Sequence, residues 1–222
     1  MFARIVPHYD LMNRLMSCGL DRGWRELAVR LCEPKGKVVL DIATGTGDIA
    51  IELVRQGARR AVGLDYCAPM LEAAARKSAP LGPGVQLVAG DALALPFGNE
   101  SFDRVINGFL LRNVTDLPGA FREMARVLKP GGLLVCLEIT HPPSLLFRAL
   151  FKLYFFGVVP RLGTMVSGDS AAYSYLPRSL VHFPEAPHLA QLMRQAGFVK
   201  VGYRYLSLGT MAIHVGVKGS QR

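Results

Sequence analysis

Two periodicities alternate along the chain. Short apolar runs at residues 38–41, 61–65, 85–89, 103–107 and 133–139 read as strands buried on both faces. Between them, apolar residues recur at helical spacing over 48–56, 69–78 and 117–128, and again over 187–195. Gly57 stops the first of these helices, and Pro69 opens the second at a favoured first-turn position. Such strand–helix alternation predicts a parallel sheet with helices on both faces. Two closing strands, 200–206 and 211–218, joined by a short turn at Gly209, predict an antiparallel hairpin at one edge. Ahead of the first strand, Phe2, Ile5, Tyr9, Met12, Leu15 and Met16 recur at helical spacing, Pro7 breaks the first turn, and a second helix is expected over 24–31.

The first strand ends on Asp41 and runs into a Gly45-Thr46-Gly47 turn before a helix that starts at Asp48. Glycines let a backbone turn tightly and approach a ligand closely, so this is a nucleotide-type pocket. A pyrophosphate would be repelled by the carboxylate four residues before Gly45, whereas a cation would be attracted. S-adenosylmethionine carries an ammonium and a sulfonium and no phosphate. Asp65, about twenty residues further on at a strand end, suits a ribose diol, and Asp91 with Ala92, past the third strand, suits an adenine amino group. Taken singly, each aspartate could be a helix cap or turn residue. Their joint placement at the carboxyl edge of three strands points to a cofactor site.

Composition narrows the reading. With 222 residues, 50% hydrophobic and 19% charged, the chain suffices for one sizeable doubly wound domain, residues 1–222, and not for a dinucleotide domain plus a full catalytic domain. The net charge of +9 admits nucleic acid or an anionic membrane surface as partners. The basic residues are scattered without aromatic interleaving, which disfavours nucleic acid. Cys18, Cys32, Cys67 and Cys136 form no CxxC pair and the five histidines show no paired spacing, so reduced, mostly buried thiols and no metal are expected. Arg4, His8 and Asp10 interrupt any apolar leader, which leads to the expectation of a cytoplasmic protein. The apolar, aromatic stretch 142–165, punctuated by Arg148, Lys152 and Arg161, is too interrupted to span a bilayer. Two readings stand: a lid over the pocket, or an interfacial helix with its aromatics among lipid tails.

Several blocks bear a family resemblance. Tyr9-Asp10-Leu11-Met12-Asn13 with Ser17, Gly19 and Trp24 resembles the N-terminal signature of the UbiE/MenG family of quinone-biosynthesis C-methyltransferases, with Asp21 where His is common. The block from Leu111 to Asp116, the stretch from Arg126 to Gly132 followed by Glu138, and Ala172-Tyr173-Ser174-Tyr175-Leu176-Pro177 with Ser179 and Phe183-Pro184 are similar to the family's further motifs. The resemblance implies an α/β class I S-adenosylmethionine-dependent methyltransferase fold: a seven-stranded, mostly parallel sheet with an antiparallel C-terminal hairpin. It also implies a helical cover over 1–34 and an apolar lid and substrate insertion over 142–184. Cofactor-binding positions carried across are Thr46, Asp65, Asp91 and Ala92; Asp41, Gly45 and Gly47 follow from the loop itself. Gly108 stands where some members place Ser, so that contact is lost or made by backbone.

The reaction the resemblance implies is methyl transfer to a ring carbon of a polyprenylated hydroquinone, with demethylmenaquinol favoured over the ubiquinone-pathway benzoquinol. A generic small-molecule methyltransferase is the competing reading. The enzyme must align an in-line attack and help remove a phenolic proton. Arg112 suits stabilisation of a developing phenolate, Asn113 orientation of a hydroxyl or water, and Tyr9 anchoring of the ring. His141, beyond a strand end, has a suitable unperturbed pKa, though as a loop residue it needs no catalytic role. Peripheral contact with the inner face of the membrane is expected, and a homodimer is left open.

Overall fold

The computed structural model describes residues 6–159, 161, 179–181 and 183–219. The Ala172-to-Ser179 block therefore lies outside the described residues except for Ser179, as do Phe2 and Ile5. A 3-10 turn at Val6–His8 leads into α1 (Tyr9–Met16), where Pro7 sits outside the helix proper. Gly19, at φ 79°, turns the chain into α2 (Leu20–Cys32), which starts four residues earlier than the apolar spacing predicts.

The strands follow as β1 (Val38–Ile42), β2 (Arg60–Asp65), β3 (Val85–Ala89), β4 (Phe102–Gly108) and β5 (Leu128–Ile139). Between them run α3 (Asp48–Arg55), α4 (Ala68–Ser78) and α5 (Leu117–Val127). A helix α6 (Leu145–Lys152) continues into a wider π turn, Leu153–Val158. The chain closes with α7 (Ala186–Gln195), β6 (Phe198–Leu206) and β7 (Met211–Lys218).

These strands form one seven-stranded sheet in the order β3-β2-β1-β4-β5-β7-β6. The pairs among β1 to β5 are parallel, and β7 slots antiparallel between β5 and β6. The closing hairpin is thus present, but its second strand is interior and its first takes the edge. Two strands also differ in extent from their apolar runs. Leu128 already pairs with Phe102, after which Lys129 to Gly132, with Gly131 at φ 72°, swings out of register before Leu133 rejoins opposite Arg104. In β6 the register shifts between Val199 and Gly202, with Lys200 at φ 50°, which hides the alternation at its start.

Alternation of side chains sends neighbouring residues to opposite faces. Leu40, Val105 and Leu134 pack with Phe121 and Met124 of α5 and Met193 of α7. Val39, Ile106 and Val135 pack with Val29 of α2 and Leu53 of α3. Each face therefore has its own core, and the polar residues fall at the strand ends. Ile106, fully buried in the middle of the sheet, should cost about 3 kcal/mol when cut to alanine. Urea unfolding of Ile106→Ala is expected to show that loss as a lower midpoint with an unchanged slope.

Candidate active site

The carboxyl ends of the parallel strands carry the site. In the turn after β1, Gly45 and Gly47 have φ 56° and 87°, conformations strained for a residue with a Cβ. A Cβ on Gly47 would lie 3.1 Å from the Ala74 Cβ of α4, so this glycine serves helix packing. One on Gly45 would meet the Tyr9 ring at 3.8 Å. At the end of β2, Asp65 accepts the Gly45 amide at 2.8 Å on one oxygen and the Cys67 amide at 2.9 Å on the other. The two loops are thereby clamped together, and each oxygen keeps a lone pair for a ligand. Asp91 accepts the Leu93 amide at 2.9 Å on one oxygen.

Asp41 lies beneath this edge, fully buried, accepting the Thr44 hydroxyl at 2.6 Å while its Oδ1 finds no partner among the described residues. Burial pushes its pKa up to about 7, helped by the nearby Asp65 charge and opposed by the Thr44 hydroxyl, the Ala50 amide in the first turn of α3, and Arg25.

Helix α1 covers the loop and is held there by charge. Thr46 donates its hydroxyl to Asp10 at 2.7 Å, and Lys77 of α4 bridges Asp10 at 2.7 Å to Asp48. These pairings outweigh burial, which acts the other way on both groups: the Asp10 carboxyl lies below its ordinary pKa and the Lys77 ammonium above. Arg25 of α2 pairs with Asp21, which also accepts the Ser17 hydroxyl, and lies 3.6 Å from Asp48. Asp21 is thus part of a buried pair.

The opposite wall follows β4. Phe109, at φ 62°, has the Arg25 and Arg112 guanidinium groups each 5.6 Å from its ring centroid. Arg112 pairs with Glu138, whose side chain is 1% exposed, and its Nε has no partner among the described residues. Asn113 donates to the Phe109 carbonyl at 3.0 Å, leaving its own Oδ1 unpartnered.

These walls enclose a cavity of about 700 Å³. Of the residues singled out from sequence, it brings together Tyr9, Gly45, Asp65, Asp91, Ala92, Gly108, Arg112 and Asn113. Asp41, Thr46 and Gly47 do not line it: the first is beneath the loop, the second bonded to Asp10, the third turned toward α4. Nor does His141: it lines a separate cavity beside Arg148 and Phe183, because the chain leaves the sheet after Ile139, in keeping with its reading as a loop residue. A Cβ on Gly108 would lie 2.7 Å from Ile49 Cδ1, so a serine there would require that side chain to move. Sequence reading missed Asn13, whose Nδ2 is buried without a partner among the described residues; its signal was a polar residue on the apolar face of α1. Lys77 gave no signal, since it pairs with residues 29 and 67 positions away. Among the described residues no cluster could hold a metal ion.

The folded chain holds the Asp41 proton more firmly than the unfolded chain does. That carboxyl's contribution therefore lowers stability as pH rises from its ordinary value of 3.8 through about 7. Asp41→Asn should remove this dependence. Its melting temperature relative to the parent is expected to rise by at least about 3 °C between pH 5 and pH 8 in thermal scans, and an equal difference at both pH values would refute the assignment.

The fold is shared with solved methyltransferases. A methyltransferase from Thermotoga maritima described as a possible histamine N-methyltransferase superposes with a TM-score of 0.70 at 23% identity, covering 98% of this chain and 97% of the other. The putative methyltransferase in a complex with the Haloferax volcanii Trm112 activator gives 0.73 at 17%, covering 99% and 98%. The sheet is that of the class I methyltransferases. In sequence the chain is 48% identical over 221 residues to the demethylmenaquinone methyltransferase of Roseiflexus castenholzii, covering 98% of this chain and 92% of that one. It is 47% identical to the protein of the same name from Deinococcus radiodurans, covering 98% and 91%. A ubiquinone/menaquinone biosynthesis C-methyltransferase from Desulfotalea psychrophila is 44% identical, covering 98% and 89%. The model of the ubiE/COQ5 methyltransferase family matches residues 1–218, and the chain belongs to that family.

Proposed function

We propose that this chain methylates a ring carbon of a polyprenylated hydroquinone at the expense of S-adenosylmethionine, with demethylmenaquinol as substrate. The observation that carries this reading is one cavity with two unlike walls. Along one wall stand the carboxylates Asp65 and Asp91 with the glycine loop, and behind it the buried Asp41. Along the other stand Arg112 and Asn113, each with an unpartnered polar atom, backed by the aromatic side chains of Phe151, Tyr154 and Phe155. The first wall suits a cofactor bearing cations and a ribose, the second a flat apolar ring with hydroxyl groups. Names of the relatives at 46–48% identity support the naphthoquinol.

When bound, S-adenosylmethionine supplies an electrophilic methyl on sulfur. The chain's own residues do the rest. The Gly45 loop and Asp65 would hold the cofactor, with Asp65 accepting from its ribose diol, and Tyr9, whose ring lies beside Gly45, would anchor the quinol ring. Asn113 Oδ1 would accept a hydrogen bond from a ring hydroxyl, and the Nε–H of Arg112 would donate to that oxygen, stabilising phenolate character that makes the ring carbon a better nucleophile. The one proton released on methylation passes to water, and the hydrogen displaced from the methylated carbon restores the hydroxyl. Glu138 fixes the guanidinium so that it need not reorganise.

Radiolabelled S-adenosylmethionine offered with a reduced demethylmenaquinol and, separately, a reduced demethylated ubiquinone precursor should transfer label to the naphthoquinol. Label in neither ring, with cofactor binding intact, overturns the quinol reading; label in the benzoquinol alone favours the reading suggested by the Desulfotalea relative. Removing Arg112 alone would strand the buried Glu138 charge, so the informative variant is Arg112→Gln with Glu138→Gln. That variant and Asn113→Ala are each expected to lose about 100-fold in turnover while cofactor affinity changes less than about threefold. Unchanged turnover would remove both residues from the mechanism.

A further inference from the structure

The helix formed by α6 and its π turn is apolar on two faces. Inward, Phe151, Tyr154 and Phe155 line the cavity, and Tyr154 donates its hydroxyl to the Met16 carbonyl of α1 at 2.9 Å. Outward, Leu145 is 80% exposed, Leu146 66%, Leu150 53% and Leu153 72%. A surface helix in water normally turns charges outward. This one does not. Of its cations, Arg148 pairs with Glu185 at 3.0 Å and Lys152 is exposed, and the sequence from residue 139 to residue 168 contains no acidic residue. No helix of the described residues is long and apolar enough to cross a membrane.

We infer that this outward face docks on an anionic lipid bilayer, with the four leucines among the acyl chains and Lys152 and Arg161 at the headgroups. Charge complementarity selects this occupant: a stripe of leucines edged by cations, on a chain of net charge +9, matches the interface of an acidic leaflet, where basic side chains add electrostatic attraction to apolar insertion. Docking also gives the inward face a purpose. A cavity of about 700 Å³ that takes cofactor and quinol ring leaves little space for a polyprenyl tail, and a helix with lipid on one side and the ring on the other keeps that tail in the membrane. This inference rests on the proposed lipid-tailed substrate, and its test separates the two.

The intact chain is mixed with vesicles of phosphatidylcholine alone or of equal phosphatidylcholine and phosphatidylglycerol, and sedimented. The parent should bind the anionic vesicles at least tenfold more tightly than the neutral ones. Replacing Leu146, Leu150 and Leu153 with Glu should cut that binding at least tenfold. The same variant should keep the parent's circular dichroism, its cofactor affinity read from Trp24 fluorescence, and its turnover of a short-tailed quinol in solution, while losing turnover of a long-tailed quinol embedded in vesicles. A second variant, Leu146→Gln with Leu150→Gln, repeats the test without adding charge. Parent protein that ignores anionic vesicles, variants that bind them as the parent does, or leucine substitutions that dissociate a dimer instead of releasing lipid would each overturn the inference. Failure of the short-tailed quinol to react would strike at the proposed reaction alone, leaving the vesicle result to stand by itself.

Discussion

The buried pair between Arg112 and Glu138 fixes the loop after β4 against the sheet. Glu138 ends β5 with almost no solvent, a placement that would be costly for an isolated carboxylate. It is met by the Arg112 guanidinium and by the Ile139 amide at 2.9 Å. The loop after β4 has no regular ladder of its own, so this pair ties it to the sheet. From Arg112 the charges continue around the cavity through the Phe109 ring to Arg25, then Asp48, Lys77 and Asp10, and end on the Thr46 hydroxyl of the glycine loop. Cation and anion alternate along most of the path. The sheet thus sets the strand ends, and this chain of charges sets the loops and the covering helix relative to them.

That arrangement suits the two unlike ligands proposed for the cavity. The wall proposed for the cofactor rests on backbone amides held by Asp65, a rigid construction that belongs to the strands. The wall proposed for the substrate rests on the loop after β4 and on α6, which joins α1 through the Tyr154 hydroxyl. Helices over a sheet edge can shift without disturbing a ladder, which would allow a large apolar ring to enter.

Much of this could be read from sequence. The apolar runs locate the strands because a doubly covered parallel sheet needs little alternation, and Gly45, Asp65 and Asp91 read as one edge, which the structure brings to one cavity, because strand ends, turns and carboxylates are local features. What escaped was set by distance in space. Asp41 reads as a ligand for a cation, yet the pleat turns it inward to Thr44; Thr46 reads as a cofactor contact, yet Asp10 takes its hydroxyl. His141 follows a strand end as Arg112 does, but only Arg112 has a buried partner to draw it into the cavity. Lys77 matters through distant partners that no local pattern displays, whereas Asn13 shows only as a polar residue on an apolar helix face. The start of β6 was hidden for another reason, since a register shift breaks the alternation on which recognition depends.

The buried position of Asp41 bears on the proposal that a cationic cofactor binds above it in a protein of net charge +9. Direct exposure of a third carboxylate at the strand ends would add repulsion with Asp65, which already raises the Asp41 pKa. Burial instead leaves Asp41 close to half-protonated near neutrality, a carboxyl whose charge responds to what occupies the loop above. A cationic ligand favours the ionised form, and an empty loop favours the neutral one. The first turn of α3, through the Ala50 amide, steadies the ionised state without supplying a full positive charge that would cancel it. With the proposed cofactor bound, negative potential at the loop would rise, and without it the fold would carry less of the cost of burying that charge.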